Sequence, residues 1–146
     1  MPTAQMRVFL GFIAAVIAVL IFHQGMVAAL HSAGLTPFAP YRTTPMPPFN
    51  VPLIIDLCFW GGLYGAVFGL LWPRFTRPLW LCGLILGVIA AFVGMFIVAP
   101  LKHAPIANGW HAWPFARSLL INGFWGLGVG LILPLLMPRA LVRAHS

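Results

Sequence analysis

The sequence predicts an all-α membrane protein with four transmembrane helices, arranged as two tandem parallel two-helix hairpin repeats. Three observations support this fold class. Apolar residues make up 62% of the chain and charged residues 6%, whereas a soluble domain has roughly one half and one quarter. Four apolar stretches are each long enough to cross a bilayer. Two segments also resemble each other at a constant distance along the chain, which indicates an internal repeat within a single domain, residues 1–146.

The first predicted helix covers residues 7–30. Arg7 before an apolar core is typical of a signal peptide, but the apolar stretch continues to Leu30 and is long enough to span the membrane. His23 and Gln24 interrupt it, roughly 24 Å from Arg7 at about 1.5 Å per residue. A polar pair at this depth must face protein or a wet cavity rather than lipid.

The second predicted helix covers residues 51–72 and follows a proline-rich segment, residues 32–50, whose five prolines exclude a helix there. It contains Asp56, the only acidic residue of the chain. Asp56 and Gly65 lie about 180° apart around the helix at about 100° per residue. Because glycine favours a helix partner and a carboxylate a polar environment, we expect this helix to be central or to lie at an oligomer interface.

The third and fourth predicted helices cover residues 79–99 and 116–137. A second segment outside the membrane, residues 100–114, joins them and contains tryptophan and histidine residues typical of the membrane interface. The fourth helix carries Asn122 near its start. The chain then ends in a short basic tail.

The repeat is clearest in the second half of each unit. A Phe-Trp-Gly motif occurs at residues 59–61 and again at residues 124–126, an offset of 65. The first halves resemble each other more weakly at an offset of 72, which pairs Gly11 with Gly83. We therefore predict repeat A at about residues 7–74 and repeat B at about residues 79–139. Because each unit has two helices, both copies keep the same orientation.

Glycines at every fourth position follow both motifs. Such a spacing leaves one side of a helix bare, so that another backbone can come close. We predict that these residues form the helix-packing surfaces of the hairpins. They are Gly61, Gly65 and Gly69 in the first copy and Gly126 and Gly130 in the second.

The basic residues predict the topology. Five fall on the predicted side of the termini and three on the other side, and cationic residues favour the cytoplasmic side of a membrane. Both termini are therefore predicted to be cytoplasmic in a multi-pass protein of the inner (plasma) membrane. The five are Arg7, Arg74, Arg77, Arg139 and Arg143, and the three are Arg42, Lys102 and Arg117.

Polar residues cluster towards the predicted outer half of the helices. We predict a candidate polar or solute site at Asp56, His23, Gln24, His31 and Asn122. Asp56 would be its charge centre, and we expect it to be coupled to His23. Ionisable residues inside a membrane indicate function, whereas a buried hydrogen-bond network that joins the hairpins is the structural alternative. The sequence leaves both interpretations open.

Catalysis and cofactor binding find little support in the sequence. No arrangement of a nucleophile and a base is evident, so the chain is predicted not to be an enzyme and to need no cofactor or metal. A metal site at His23, His31 and Asp56 and haem ligation by His23 and Met95 are weaker alternatives, since no local motif supports them. The basic residues stand singly, which argues against nucleic-acid binding and for contact with the lipid bilayer.

Two functions remain as hypotheses. The leading one is a small membrane protein that works by helix packing, as a homo-oligomer or as an accessory subunit with other membrane subunits. The alternative is a small transporter or channel component with an outward-facing polar site around Asp56 and His23. A transporter or channel component would have to bind a solute or proton at the polar residues, whereas a packing subunit would only have to assemble with its partners.

Overall fold

Four helices in the structure are long and apolar enough to cross a membrane. This computed structural model describes residues 2–137. The helices are α1 (Ala4–Ser32), α2 (Leu53–Arg74), α3 (Leu79–Leu101) and α4 (Ala112–Leu136). An all-helical protein with four membrane-length helices is therefore confirmed. The predicted basic tail, with Arg139 and Arg143, lies outside the described residues.

The helices begin where the local sequence satisfies their first turn. Thr3 caps α1, because its Oγ1 accepts a hydrogen bond from the backbone N–H of Met6 at 3.2 Å. Helix α4 begins at Ala112, four residues before the predicted start. Pro114 then lies in the first turn, where the N–H that proline lacks would have no partner inside the helix. The prediction treated Pro114 as a helix boundary, which explains the error.

Two of the four helices change to π-helical geometry along their length. The π segments are Val19–His23 in α1 and Gly94–Val98 in α3. A π segment adds a residue to the helix and rotates the side chains beyond it, and such segments are frequent at functional sites. In α1 the segment ends at His23, so the direction of His23 and Gln24 depends on it.

The two segments between the helices of each pair lie at the same end of the bundle. In residues 33–52, strand β1 (Pro45–Met46) pairs antiparallel with strand β2 (Val51–Pro52). The indole N–H of Trp113 donates to the backbone oxygen of Leu35 at 2.7 Å and joins the first segment to the start of α4. We call this end, with residues 33–52 and 102–111, the cap end. The opposite end, with the start of α1 and residues 75–78, is the turn end.

Glycine contacts bring α1 and α2 together. A Cβ atom added at Gly65 would overlap the backbone oxygen of Gly11 and the Cβ of Ala15, and one added at Gly69 would overlap the backbone oxygen of Arg7. Because the neighbouring atoms belong mostly to backbone, only glycine fits at these positions. The start of α1 therefore lies beside the end of α2.

A second set of glycine contacts joins α3 to α4. A Cβ atom at Gly126 would overlap the backbone oxygen of Gly83, and one at Gly130 would overlap the backbone oxygen of Leu79. Helices α1 and α4 pack across the centre, where Trp125 is 2% exposed and donates its indole N–H to the backbone oxygen of Ala15 at 3.2 Å. Trp125 belongs to the main apolar core cluster.

Helix α2 is not the central helix of the bundle. Helix α4 has the largest buried share, and α1 and α4 pack against each other between α2 and α3. The expectation of a central second helix is therefore wrong. The physical reason is that its glycine side is used on α1, while its opposite side carries bulky apolar residues that no other helix of residues 2–137 covers. The expectation of an oligomer interface stays a prediction.

The Gly65→Ala variant tests the close approach of α1 and α2. We expect it to lower the free energy of unfolding by about 2 kcal/mol, because the added methyl group meets backbone that can move only if the helices separate. Gly25→Ala is the matched control, since nothing lies within 4 Å of a Cβ at Gly25. Thermal unfolding in detergent is the measurement. Equal melting temperatures for the two variants would contradict the packing.

Candidate functional site

A pocket of about 200 Å³ lies at the cap end between α1, α2, α4 and residues 33–52. We call it the cap-end pocket. Its polar lining consists of His23, Gln24, Arg42, Ser118 and Asn122. Its apolar lining consists of Val27, Phe38, Ala39, Leu53, Ile54, Leu57 and Ile121. Three of the five predicted site residues, His23, Gln24 and Asn122, are thus brought together, whereas Asp56 and His31 are not among the lining residues.

Gln24 joins α1 to residues 33–52. Its side chain is 4% exposed, and its Oε1 accepts a hydrogen bond from the backbone N–H of Tyr41 at 2.6 Å. A buried amide without partners would be costly, so this contact both satisfies Gln24 and holds the segment on the bundle. The π segment just before Gln24 helps to direct the side chain to this position.

Tyr41 has a backbone conformation that tyrosine rarely adopts. Its φ is 56°, in the left-handed region, and this conformation costs free energy for a residue with a Cβ atom. Two contacts with α1 stabilise it: the hydrogen bond from its N–H to Gln24, and the hydrogen bond from its hydroxyl to the backbone oxygen of Leu20 at 2.7 Å. The residue thus docks residues 33–52 on the first helix.

The hydrogen bonds of Gln24 also determine the tautomer of His23. Since Oε1 of Gln24 accepts from Tyr41, its Nε2 is the atom that lies 3.0 Å from Nδ1 of His23 and donates to it. Nδ1 is then an acceptor, so Nε2 of His23 carries the proton. None of the hydrogen bonds among residues 2–137 uses that N–H, and His23 is one of the residues that line the cap-end pocket.

Arg42 supplies the positive charge of the pocket. Its guanidinium carbon lies 4.6 Å from the centroid of the Phe38 ring, and the guanidinium carbon of Arg117 lies 5.1 Å from the same centroid. These are cation–π distances. Within the described part of the chain, the Arg42 guanidinium takes part in no hydrogen bond or ion pair, so its N–H donors remain available to a ligand.

Asp56 lies in a different environment from the one expected. It is half-buried in the first turn of the helix that begins at Leu53, close to the cap end. The positive end of the helix dipole favours a carboxylate there, so its charge is less costly than at the centre of a span. No hydrogen bond or ion pair among residues 2–137 joins Asp56 to His23, and their expected coupling stays a prediction.

The remaining predicted site residues have separate contacts. His31 is exposed at the end of α1, where its Nδ1 lies 3.2 Å from the backbone oxygen of Thr36. Asn122 donates from Nδ2 to the backbone oxygen of Ser118 at 2.9 Å, within α4. The Ser118 hydroxyl in turn accepts from Asn108 at 2.8 Å, which joins α4 to the second loop.

The structure does not assemble the alternative metal site. Among the described residues, no three histidine, cysteine, aspartate or glutamate side chains come together in a group that could hold a metal ion. The proposed ligands His23, His31 and Asp56 are at three separate places: the pocket wall, the end of α1 and the first turn of α2.

Sequence reasoning missed Arg42 and Phe38 as pocket residues. Arg42 counts among the basic residues that predict the topology, and no prediction concerns Phe38; both lie in the proline-rich segment rather than in a helix. The available signal was the density of prolines around them, which indicates a rigid segment able to position side chains. No protein-family model, curated protein or solved structure matches the chain. The chemistry of the pocket is therefore inferred from its own residues.

The Gln24→Leu variant tests how residues 33–52 are held on the bundle. We expect faster tryptic cleavage after Arg42, because the N–H of Tyr41 loses its acceptor and the segment its main polar contact with α1. The loss of a buried hydrogen bond predicts a decrease of about 1–3 kcal/mol in stability. Gln5→Leu, an exposed glutamine changed in the same way, is the control. If both variants are cleaved at the wild-type rate, Gln24 does not hold the segment.

Proposed function

We propose that this chain is a non-enzymatic membrane subunit that works by helix packing, as a homo-oligomer or as an accessory subunit of a larger membrane assembly. One observation carries the proposal: the outer face of α2, which consists of Asp56, Trp60, Leu63, Val67 and Leu70. These residues lie within about 40° of Asp56 around the helix at about 100° per residue. The four apolar side chains are all exposed, by 39% to 55%.

The charge on this face supports a partner in the membrane. An apolar face alone suits lipid, but a half-buried carboxylate beside it gains from a cation at the same level. Lys102 is a cation that could serve this purpose: it lies at the cap end, is exposed and forms no ion pair within residues 2–137. A second copy of the chain therefore carries charges complementary to Asp56, as would any subunit with a basic residue at this depth.

The transporter or channel alternative has weaker support. It placed Asp56 and His23 in one site, but His23 lines the cap-end pocket and Asp56 does not. All the residues that line this pocket belong to the cap-end halves of their helices or to residues 33–52. A transport path through the bundle would need polar residues towards the turn end as well.

We further propose that the bundle arose from two tandem hairpins in parallel orientation. The glycine contacts support this, because Gly11 meets Gly65 in the first pair of helices and Gly83 meets Gly130 in the second. The offset of 72 pairs Gly11 with Gly83, and the offset of 65 pairs Gly65 with Gly130. Both first helices also contain a π segment, Val19–His23 and Gly94–Val98. The basic residues of the turn end support an inner-membrane protein with both termini in the cytoplasm.

Capture between two differently tagged copies tests the subunit proposal. After co-expression and purification in mild detergent, we expect one tag to capture the other or a stoichiometric membrane subunit. Asp56→Asn should lower the yield roughly fivefold or more, because a charged hydrogen bond is lost. Val67→Trp should lower it through steric conflict. The control is Ile89→Trp on α3, since Ile89 is exposed by 52% and Val67 by 55%.

Two results would contradict the subunit proposal. One is a monodisperse monomer without a co-purifying membrane subunit under conditions that keep the protein folded. The other is an equal loss of capture in the Ile89→Trp and Val67→Trp variants, which would indicate a general effect of bulk in the membrane rather than an interface on α2.

Labelling of single cysteines tests the topology. In a background with Cys58→Ala and Cys82→Ala, we expect Thr43→Cys and Ala104→Cys to react with a membrane-impermeant thiol reagent added outside the cell. Thr76→Cys should react only after the membrane is opened. All three positions are exposed. Labelling of Thr76→Cys in intact cells, without labelling of the other two, would reverse the orientation.

A further inference from the structure

The cap-end pocket offers hydrogen-bond donors and positive charge without an opposing carboxylate. The N–H groups of Arg42 and the Nε2–H of His23 have no acceptor among residues 2–137, and both residues line the pocket. Asp56, the only acid of the chain, is not part of the lining. An unpaired guanidinium beside an unused imidazole N–H is suited to an anion with several oxygen atoms.

Most of the residues that line the pocket are apolar. They include Leu53, Ile54 and Leu57 of α2 and Ile121 of α4. Helix α1 has 29 residues, about 43 Å at 1.5 Å per residue, so it is longer than a hydrocarbon core of about 30 Å. His23, nine residues before Ser32, then lies some 7 Å inside the core if the overhang is equal at both ends. With that overhang, the pocket runs from the headgroup level into the hydrocarbon.

We propose that the cap-end pocket binds a phosphate anion, which is held by Arg42 and the Nε2–H of His23 and is carried by a lipid headgroup or free in solution. Arginine suits phosphate because its planar guanidinium donates two parallel hydrogen bonds to two oxygen atoms. Phe38 orients the guanidinium from one side through its ring face, at 4.6 Å. The proposal concerns a ligand and is independent of the assembly through α2.

The size of the pocket fits this ligand. Its volume of about 200 Å³ equals roughly six to seven waters at about 30 Å³ each. This space holds a phosphate group with a few further atoms. The apolar lining gives a lipid source an advantage over free phosphate, because the first part of an acyl chain would contact Leu53 and Leu57.

Thermal unfolding of the full chain in detergent, with added ligand, tests the proposal. We would compare phosphatidylglycerol, diacylglycerol, which has the acyl chains without the phosphate, and inorganic phosphate. We expect phosphatidylglycerol to raise the melting temperature in a saturable way, since a ligand that binds only the folded state stabilises it. Arg42→Gln should weaken the apparent affinity by about tenfold or more, as a charged hydrogen bond is lost. Ile121→Trp, which fills the pocket without a change of charge, should abolish the effect even where Arg42→Gln does not fold.

The control is Arg77→Gln, which removes the same charge from an exposed position at the turn end and should leave the affinity unchanged. If inorganic phosphate stabilises the wild type but not Arg42→Gln, the site binds free phosphate. If only phosphatidylglycerol stabilises the wild type, the site binds the phosphate of a lipid. Equal effects of phosphatidylglycerol and diacylglycerol, without an effect of phosphate, overturn the proposal, and so does the absence of any saturable effect. Full stabilisation of Arg42→Gln or Ile121→Trp, or an equal loss in Arg77→Gln, also overturns it.

Discussion

The fold depends on the contact of backbone with backbone between helices. In a bilayer, helices gain little from burying apolar side chains, since lipid is equally apolar, so close van der Waals contact must supply the association. Gly65 and Gly69 provide it for α1 and α2, and Gly126 and Gly130 provide it for α3 and α4. Trp125 then joins the two pairs through its contact with Ala15.

The same constraint accounts for the position of the pocket. Between α1 and α2, the glycine contacts extend from Gly69 near the turn end to Gly61, which faces Val19 and Trp125. One turn beyond Gly61, the wall of the pocket begins at Leu57. Helix α2 has no glycine at that level, so α1 and α2 cannot approach as closely there. The space between them is lined by polar and apolar side chains and by residues 33–52, which Gln24 holds in place.

Much of the helical architecture could be predicted because hydropathy reports helix position directly. The four spans follow from long apolar runs, and the largest error, at the start of α4, comes from a proline that the first turn of a helix tolerates. The π segments could not be predicted, since one inserted residue leaves no pattern in an apolar helix. The tandem repeat and the membrane orientation stay predictions.

The candidate site was predicted less well, because its residues must lie at the same depth along their helices and their side chains must point towards the same space. His23, Gln24 and Asn122 were selected for their polarity within apolar helices, and all three line the pocket. Asp56 stands out for the same reason, but it lies on the outer face of α2, whereas Leu53 and Leu57 near it in the helix line the pocket. Arg42 lies in a segment without regular periodicity, so no sequence pattern related it to His23.

Solid-state NMR of the chain in lipid bilayers, with ¹³C at the glycine Cα atoms, measures the central contact directly. Through-space correlations at short mixing times should join Gly11 to Gly69 and Gly83 to Gly130, because an ideal Cβ on Gly11 lies 3.1 Å from the Cα of Gly69 and one on Gly83 lies 2.9 Å from the Cα of Gly130. Helices packed through larger side chains keep their axes about 8–10 Å apart and would give no such signals. Their absence in a folded sample would contradict the account.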